Sequence, residues 1–141
     1  MPIDPIIFLD TSYIYALVNT RDQWHQEALR WEKIVSEADC QLLTTECILV
    51  EIANGLSALR FRSQAVRIID ALMESTKVTI LPAQTELLEA GLELYRSRND
   101  KSWGLTDCMS FMAMEQQSIQ AALTTDEHFI QAGFRALLLE D

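Results

Sequence analysis

What most restricts the fold of this chain is a recurrence. Strand-sized apolar runs stand at 5–9, 40–43, 78–81, 121–124 and 134–139, and stretches of helical periodicity separate them. No hairpin signal joins any two of these runs, which disfavours antiparallel pairing through tight turns. Strands that alternate with helices predict a mainly parallel sheet covered on both faces. The expected class is therefore α/β, an α/β/α sandwich with five strands. The length of 141 residues and a hydrophobic share of 49% are ample for one core, so a single domain over 1–141 is expected.

The elements read as follows. Pro5-Ile6-Ile7-Phe8-Leu9 runs into Asp10, after which Tyr13, Ile14, Leu17 and Val18 mark a helix. Residues 23–38 form an amphipathic helix with Trp24, Ala28, Trp31 and Val35 on one stripe. The strand Cys40–Leu43 leads to Thr44 or Thr45, either of which can cap a helix through Ile48, Ile52, Leu56 and Leu59. A further helix (Ala65, Ile68, Ile69, Leu72) precedes strand Val78–Leu81, which Pro82 ends, and Leu87, Leu88, Leu92 and Tyr95 define the next helix. Ser97–Gly104 is a loop. Thr106 then opens a helix whose stripe is Asp107, Ser110, Phe111 and Met114, followed by strand Ala121–Thr124, Asp126, a short helix and strand Phe134–Leu139.

Several function classes lose ground on composition. No run approaches the roughly 18 apolar residues of a membrane-spanning helix, and the N-terminus carries no secretion signal, so a cytoplasmic location is expected. Cys40, Cys47 and Cys108 are an odd set without C-x-x-C spacing and read as reduced core thiols. His25 and His128 have no spacing that suggests an imidazole zinc centre, which leaves oxygen ligands as the expectation for any metal. A net charge of −10 argues against binding phosphates, unless some carboxylates hold divalent cations that themselves attract phosphate.

Four carboxylates stand out. Asp10 and Asp126 follow the first and fourth strands, at the carboxyl edge of a parallel sheet where ligand crevices form. Either could instead be an ordinary helix cap. Asp107 shares a stripe with Phe111 and Met114 and so enters the core side of its helix, although in the first turn it could simply face the helix dipole. Glu51 lies mid-helix, where a solvated face is the common fate of a glutamate, and Glu46 rivals it in the same helix. No Lys or Arg lies within a few residues of the four, which makes a cation the economical partner. An oxygen-only cluster suits Mg²⁺ or Mn²⁺.

In order, the segments FLDTSYIYAL, TTECILVEIANGL, WGLTDCMSFMAM and ALTTDEHF resemble the PIN-domain family of metal-dependent ribonucleases, VapC-type toxins in particular, over nearly the whole chain. The resemblance implies a sheet in the order 3-2-1-4-5, with Asp10, Glu51, Asp107 and Asp126 as the metal-binding and catalytic set. It implies that Ser12 and Thr124 or Thr125 hydrogen-bond the acidic side chains or the water at the metal, although helix capping explains the same residues. The activity implied is attack of metal-activated water on an RNA phosphodiester, leaving a 5′-phosphate and a 3′-hydroxyl. An antitoxin that places a cation among the carboxylates and a homodimer through exposed apolar helices are the implied partners. Arg60, Arg62 and Arg67, and Arg96, Arg98 and Lys101 before Trp103, are the only local basic clusters that could meet RNA.

Two other readings fit parts of the pattern. A phosphoryl-acceptor domain also places an Asp after its first strand, but a phosphatase of that kind needs a second Asp where Ser12 stands, and a receiver needs a paired acid early and a Lys after its last strand, which this chain does not offer. An inactive member of the same fold could persist as an interaction module, its acidic pocket serving only to bind.

Overall fold

The structure, a computed structural model, describes residues 3–140. Its strands are β1 (Ile6–Leu9), β2 (Gln41–Thr45), β3 (Val78–Leu81), β4 (Ala121–Leu123) and β5 (Arg135–Ala136), all parallel, in the order β3-β2-β1-β4-β5. The helices are α1 (Thr11–Val18), α2 (His25–Glu37), α3 (Glu46–Gly55), α4 (Leu59–Glu74), α5 (Thr85–Ser97), α6 (Leu105–Gln116) and α7 (Glu127–Gln131). This is the predicted α/β sandwich and strand order. The central strands are apolar throughout because helices cover both faces: Ile7, Phe8, Leu9, Ala122 and Leu123 are all sealed from solvent.

The order of the strands creates the site. From β1 the chain builds outward through β2 and β3, then returns to lay β4 on the other side of β1. The carboxyl ends of β1 and β4 therefore face the crevice where the winding direction reverses. Leu9 pairs with Leu123, and the next amide, that of Asp10, donates to the Leu123 carbonyl at 3.2 Å, so Asp10 and the 124–126 segment leave the sheet side by side.

Three expectations change in detail and one open choice is resolved. The helix after β2 ends at Gly55, and Leu59 opens α4 fully exposed instead of continuing the α3 stripe. Gly55 itself is closely packed: a Cβ there would collide with the Tyr15 ring, whose hydroxyl donates to the Glu51 carbonyl at 2.8 Å. Between the two threonines at the end of β2, Thr45 is the cap, accepting from Ile48 N, while Thr44 donates to the Leu9 carbonyl and ties β2 to β1. Helix α6 is capped from Gly104, not Thr106, because the Asp107 carboxylate accepts the Gly104 amide at 2.9 Å. Of the run Phe134–Leu139 only Arg135–Ala136 pairs, and Leu137–Leu139 turns into one 3-10 turn so that Leu137 and Leu138, adjacent in sequence, are both buried. A strand would have sent them to opposite faces.

An aromatic cluster sets the two later helices on the sheet. Phe111 of α6 meets Phe129 of α7 edge-on at 4.9 Å and Trp103 at 5.1 Å, and Phe129 lies 6.3 Å from Phe8. Trp103 is a packing residue whose indole N–H donates to Gln131 at 2.9 Å. Contacts of this kind, in T-shaped geometry, each add about 0.5–1.5 kcal/mol beyond burial, and here they fix where the first turns of α6 and α7 point.

Candidate active site

The three aspartates are all helix caps or first-turn residues, so the capping reading holds for each of them. Asp10 caps α1 through Ser12 N, Asp126 caps α7 by accepting from His128 N at 2.8 Å, and Asp107 closes the first turn of α6. Capping brings each carboxylate to the amino end of a helix, where the exposed amides favour negative charge. Because those helix ends meet at one crevice, capping is also what gathers the acids.

Asp10 is the deepest of the three, only 6% exposed. Its Oδ2 accepts the hydroxyls of Thr124 at 2.7 Å and Ser12 at 2.8 Å. Those hydroxyls are themselves oriented, since Thr125 N donates to Ser12 Oγ at 2.9 Å and Asp126 N donates to Thr124 Oγ1 at 3.0 Å. The paired oxygens stand 3.0 Å apart. Of the two threonines expected to support the site, Thr124 does so with its side chain, fully buried, whereas Thr125 contributes its backbone amide. Asp10 Oδ1 is left without a protein hydrogen bond among the described residues.

Electrostatics follow from this packing. Burial pushes the Asp10 carboxyl up from its ordinary 3.8 to about 6; the Thr124 and Ser12 hydroxyls oppose that rise, and the charges of Asp107 and Asp126 add to it. Asp107 is also raised, first by burial, with Asp126 adding to the shift and the Gly104 amide and His128 working against it. Asp107 and Asp126 thus lie close enough to Asp10 for each to disfavour its charge. No Lys or Arg forms an ion pair with Asp10, Glu51, Asp107 or Asp126 among the described residues.

Glu51 approaches from the β2 side. Its Oε1 accepts the Thr11 hydroxyl at 2.6 Å, which holds it beside the residue that follows Asp10, and it makes no hydrogen bond to the aspartates. Its rival Glu46 turns away to the Ala83 amide at 2.6 Å. Of the basic clusters, the later one is paired with its own acids: Arg96 pairs with Glu93, Arg98 with Asp100 while stacking 5.0 Å from Trp103, and Lys101 also with Asp100. Arg62 donates to the Ser57 carbonyl, and Arg60 lies over Phe61.

Two residues of the site escape the sequence reading. Thr11, the buried first residue of α1, is the anchor of Glu51; its only signal is its place between Asp10 and Ser12. His128 brings Nδ1 to 3.3 Å from both Asp107 and Asp126, and one donor atom from each of these three lies within 4.8 Å of the others. Beside the expected oxygen ligands the fold thus places an imidazole nitrogen. The signal was present as a His two residues after a capping Asp, where the first turn folds the ring back over the cap. A search for zinc spacing does not find it.

A family model described as PIN domain matches residues 7–135. Among solved structures, the chain is similar to the Mycobacterium tuberculosis toxin VapC20, described as cleaving the sarcin-ricin loop, with 28% identity and a TM-score of 0.79 over 91% of this chain and 95% of that one. It shares its fold with VapBC2 from Rickettsia felis, solved with a promoter DNA fragment, at 13% identity and a TM-score of 0.65 over 93% and 96% of the two chains. It does so likewise with FitAcB from Neisseria gonorrhoeae, at 19% identity and a TM-score of 0.60 over 92% and 94%. A comparison with curated proteins gives no match.

Proposed function

Because the chain belongs to the PIN domain family, we propose that it is a metal-dependent ribonuclease, a hydrolase of RNA phosphodiester bonds, acting as the toxin of a toxin-antitoxin pair in the cytoplasm. Residues 1–141 would form one nuclease domain, and no helix among the described residues is long and apolar enough to cross a membrane. The observation that carries the reading is the convergence of Asp10, Asp107 and Asp126 from three helix ends, with no Lys or Arg paired to them among the described residues.

The donor set fits a divalent cation. A 6%-exposed carboxylate with one unpartnered oxygen, next to two further carboxylates, is costly unless a positive charge joins it. Asp10, Asp107 and Asp126 would hold the ion, with Glu51 at the flank. Bound there, Mg²⁺ or Mn²⁺ would polarise a phosphate oxygen and lower the pKa of an attacking water. The chain's own residues do the positioning. Ser12 and Thr124 fix one oxygen of Asp10 and so aim the other. Thr11 fixes Glu51, which would orient a water or take up its proton.

The similarity to VapC20 supports RNA as substrate and a toxin role. A toxin implies an antitoxin, which we expect to neutralise the acids with an inserted cation such as Arg. Exposed Leu88, Leu92 and Tyr95 on α5 are the apolar surface on which a homodimer would form. The test incubates the purified protein with single-stranded and structured RNAs, with Mg²⁺, Mn²⁺ or chelator, beside an Asp10→Asn, Asp107→Asn double variant. Cleavage that needs metal and vanishes in the variant is expected. Metal binding without cleavage of any RNA would leave the fold as an interaction module.

A further inference from the structure

The four-carboxylate set leaves one well-placed group without a role. His128, second residue of α7, donates its backbone N–H to the Asp126 carboxylate, and that turn brings its half-buried ring over the cap. Nδ1 then stands 3.3 Å from Asp126 Oδ1 and 3.3 Å from Asp107 Oδ2, while Nε2 lies 3.4 Å from Ser102 Oγ. These separations suit a shared cation. Donors bound to one ion at about 2.1 Å stand about 3.0 Å apart in octahedral cis positions and about 3.4 Å apart in a tetrahedral set.

The tautomer matters. With its proton on Nδ1 the ring donates to the Asp107 carboxylate, which is how the metal-free contact favours that charge; with its proton on Nε2, facing Ser102, it presents the Nδ1 lone pair to the Asp107 and Asp126 oxygens, an arrangement that a cation between them would hold. A hydrogen bond to the far nitrogen is the usual way a metal-binding histidine is oriented. Asp10 lies near enough for the charges of Asp107 and Asp126 to disfavour its own, and it keeps one carboxylate oxygen without a protein hydrogen bond among the described residues while Ser12 and Thr124 hold the other.

We propose that His128 is a metal ligand whose Nδ1 completes, with Asp107 and Asp126, a mixed nitrogen-oxygen centre that takes Mn²⁺ in preference to Mg²⁺. The proposal rests on the reading that this cluster binds a divalent ion, and it names which ion and why. Mg²⁺ is a hard cation that favours oxygen and keeps its waters, so a nitrogen in the set gains it little. Imidazole is a good donor to first-row transition ions, whose affinity for such sites rises from Mn²⁺ along the series.

The experiment measures metal binding with no substrate present. Wild-type protein and the variants His128→Ala, His128→Gln and Asp10→Asn/Asp107→Asn are titrated with Mn²⁺ alone, read by loss of the free-ion electron paramagnetic resonance signal, and with Mg²⁺ in competition. Pulsed resonance on the Mn²⁺-loaded protein reports whether a nitrogen is coordinated. Circular dichroism and the melting temperature establish that each variant is folded. The expected result is a nitrogen coupling in the wild type that is absent in both His128 variants, with Mn²⁺ affinity falling about 10–100-fold and Mg²⁺ affinity changing far less. If folded His128→Ala or His128→Gln keeps the nitrogen coupling or the wild-type preference for Mn²⁺, His128 is not a ligand and the proposal fails, while the carboxylate site stands. If the wild type binds neither ion, or binds both undiminished in the double aspartate variant, the underlying reading fails as well.

Discussion

Replacing Asp10 by Asn should make the metal-free protein more stable while removing its activity. Asn is as good an N-cap as Asp, and its carbonyl oxygen can keep the Thr124 and Ser12 hydroxyl bonds that Oδ2 now accepts. What it loses is a buried charge. The folded protein holds the Asp10 proton up to about pH 6, whereas the unfolded chain releases it near 3.8. Between those values folding takes up a proton, so stability of the apo protein falls as pH rises through this window and stays at the lower level above about 6. At about 1.4 kcal/mol per pH unit, the penalty at neutral pH is at most about 3 kcal/mol. Asp107, raised in the same direction, adds to the trend. Removing the charge should therefore raise the apo melting temperature at neutral pH by up to roughly 10 °C for a chain of this size, with little difference from wild type below pH 4. Added Mn²⁺ should stabilise the wild type by mass action and leave the variant unmoved. Melting curves of chelator-treated wild type and Asp10→Asn across pH 4–8 are the assay. A variant less stable than wild type at neutral pH, or a wild type whose melting temperature is flat across the window, would refute the claim that the site stores uncompensated charge.

Other outcomes follow from the contacts around the acids. Thr124→Val removes the hydroxyl that donates to Asp10 and accepts from Asp126 N, so it should cost about 1–3 kcal/mol in urea unfolding and most of the nuclease activity; near-native values for both would show that the hydroxyl pair is dispensable. Thr11→Val should leave stability within about 1 kcal/mol but depress cleavage, because Glu51 loses its anchor, and unchanged kcat would remove Glu51 from the mechanism. Gly55→Ala forces the Tyr15 ring from its seat on α3 and should destabilise by about 1–3 kcal/mol, read by thermal unfolding; a neutral result would mean that Tyr15 swings away freely.

Much of the candidate site was legible before the fold was known, for an identifiable reason. A parallel sheet places whatever follows a strand at one edge, so Asp10 and Asp126 could be placed by counting from apolar runs. Asp107 could be picked out because a carboxylate on the Phe111 and Met114 stripe has to turn toward something. Glu51 was harder, since its neighbours Val50 and Ile52 do not distinguish it from Glu46, and only the Thr11 and Ala83 contacts separate the two. Thr11 and His128 were passed over for different reasons: one is a small residue between two stronger signals, and the other was weighed against zinc spacing when its neighbours are the carboxylate two residues before it and another 21 residues away.

The sequence by itself determined the α/β class, the parallel pairing and the positions of the three aspartates, because these depend on periodicity and on what local backbone geometry does at a strand end or a first helical turn. Tertiary structure decided which threonine supports Asp10, that Gly55 ends α3 against Tyr15, that Leu137–Leu139 forms a turn and not a strand, and that His128 joins the acids. Each of those depends on distances between segments far apart in the chain, set by how helices settle on the sheet. No local pattern of residues encodes such distances.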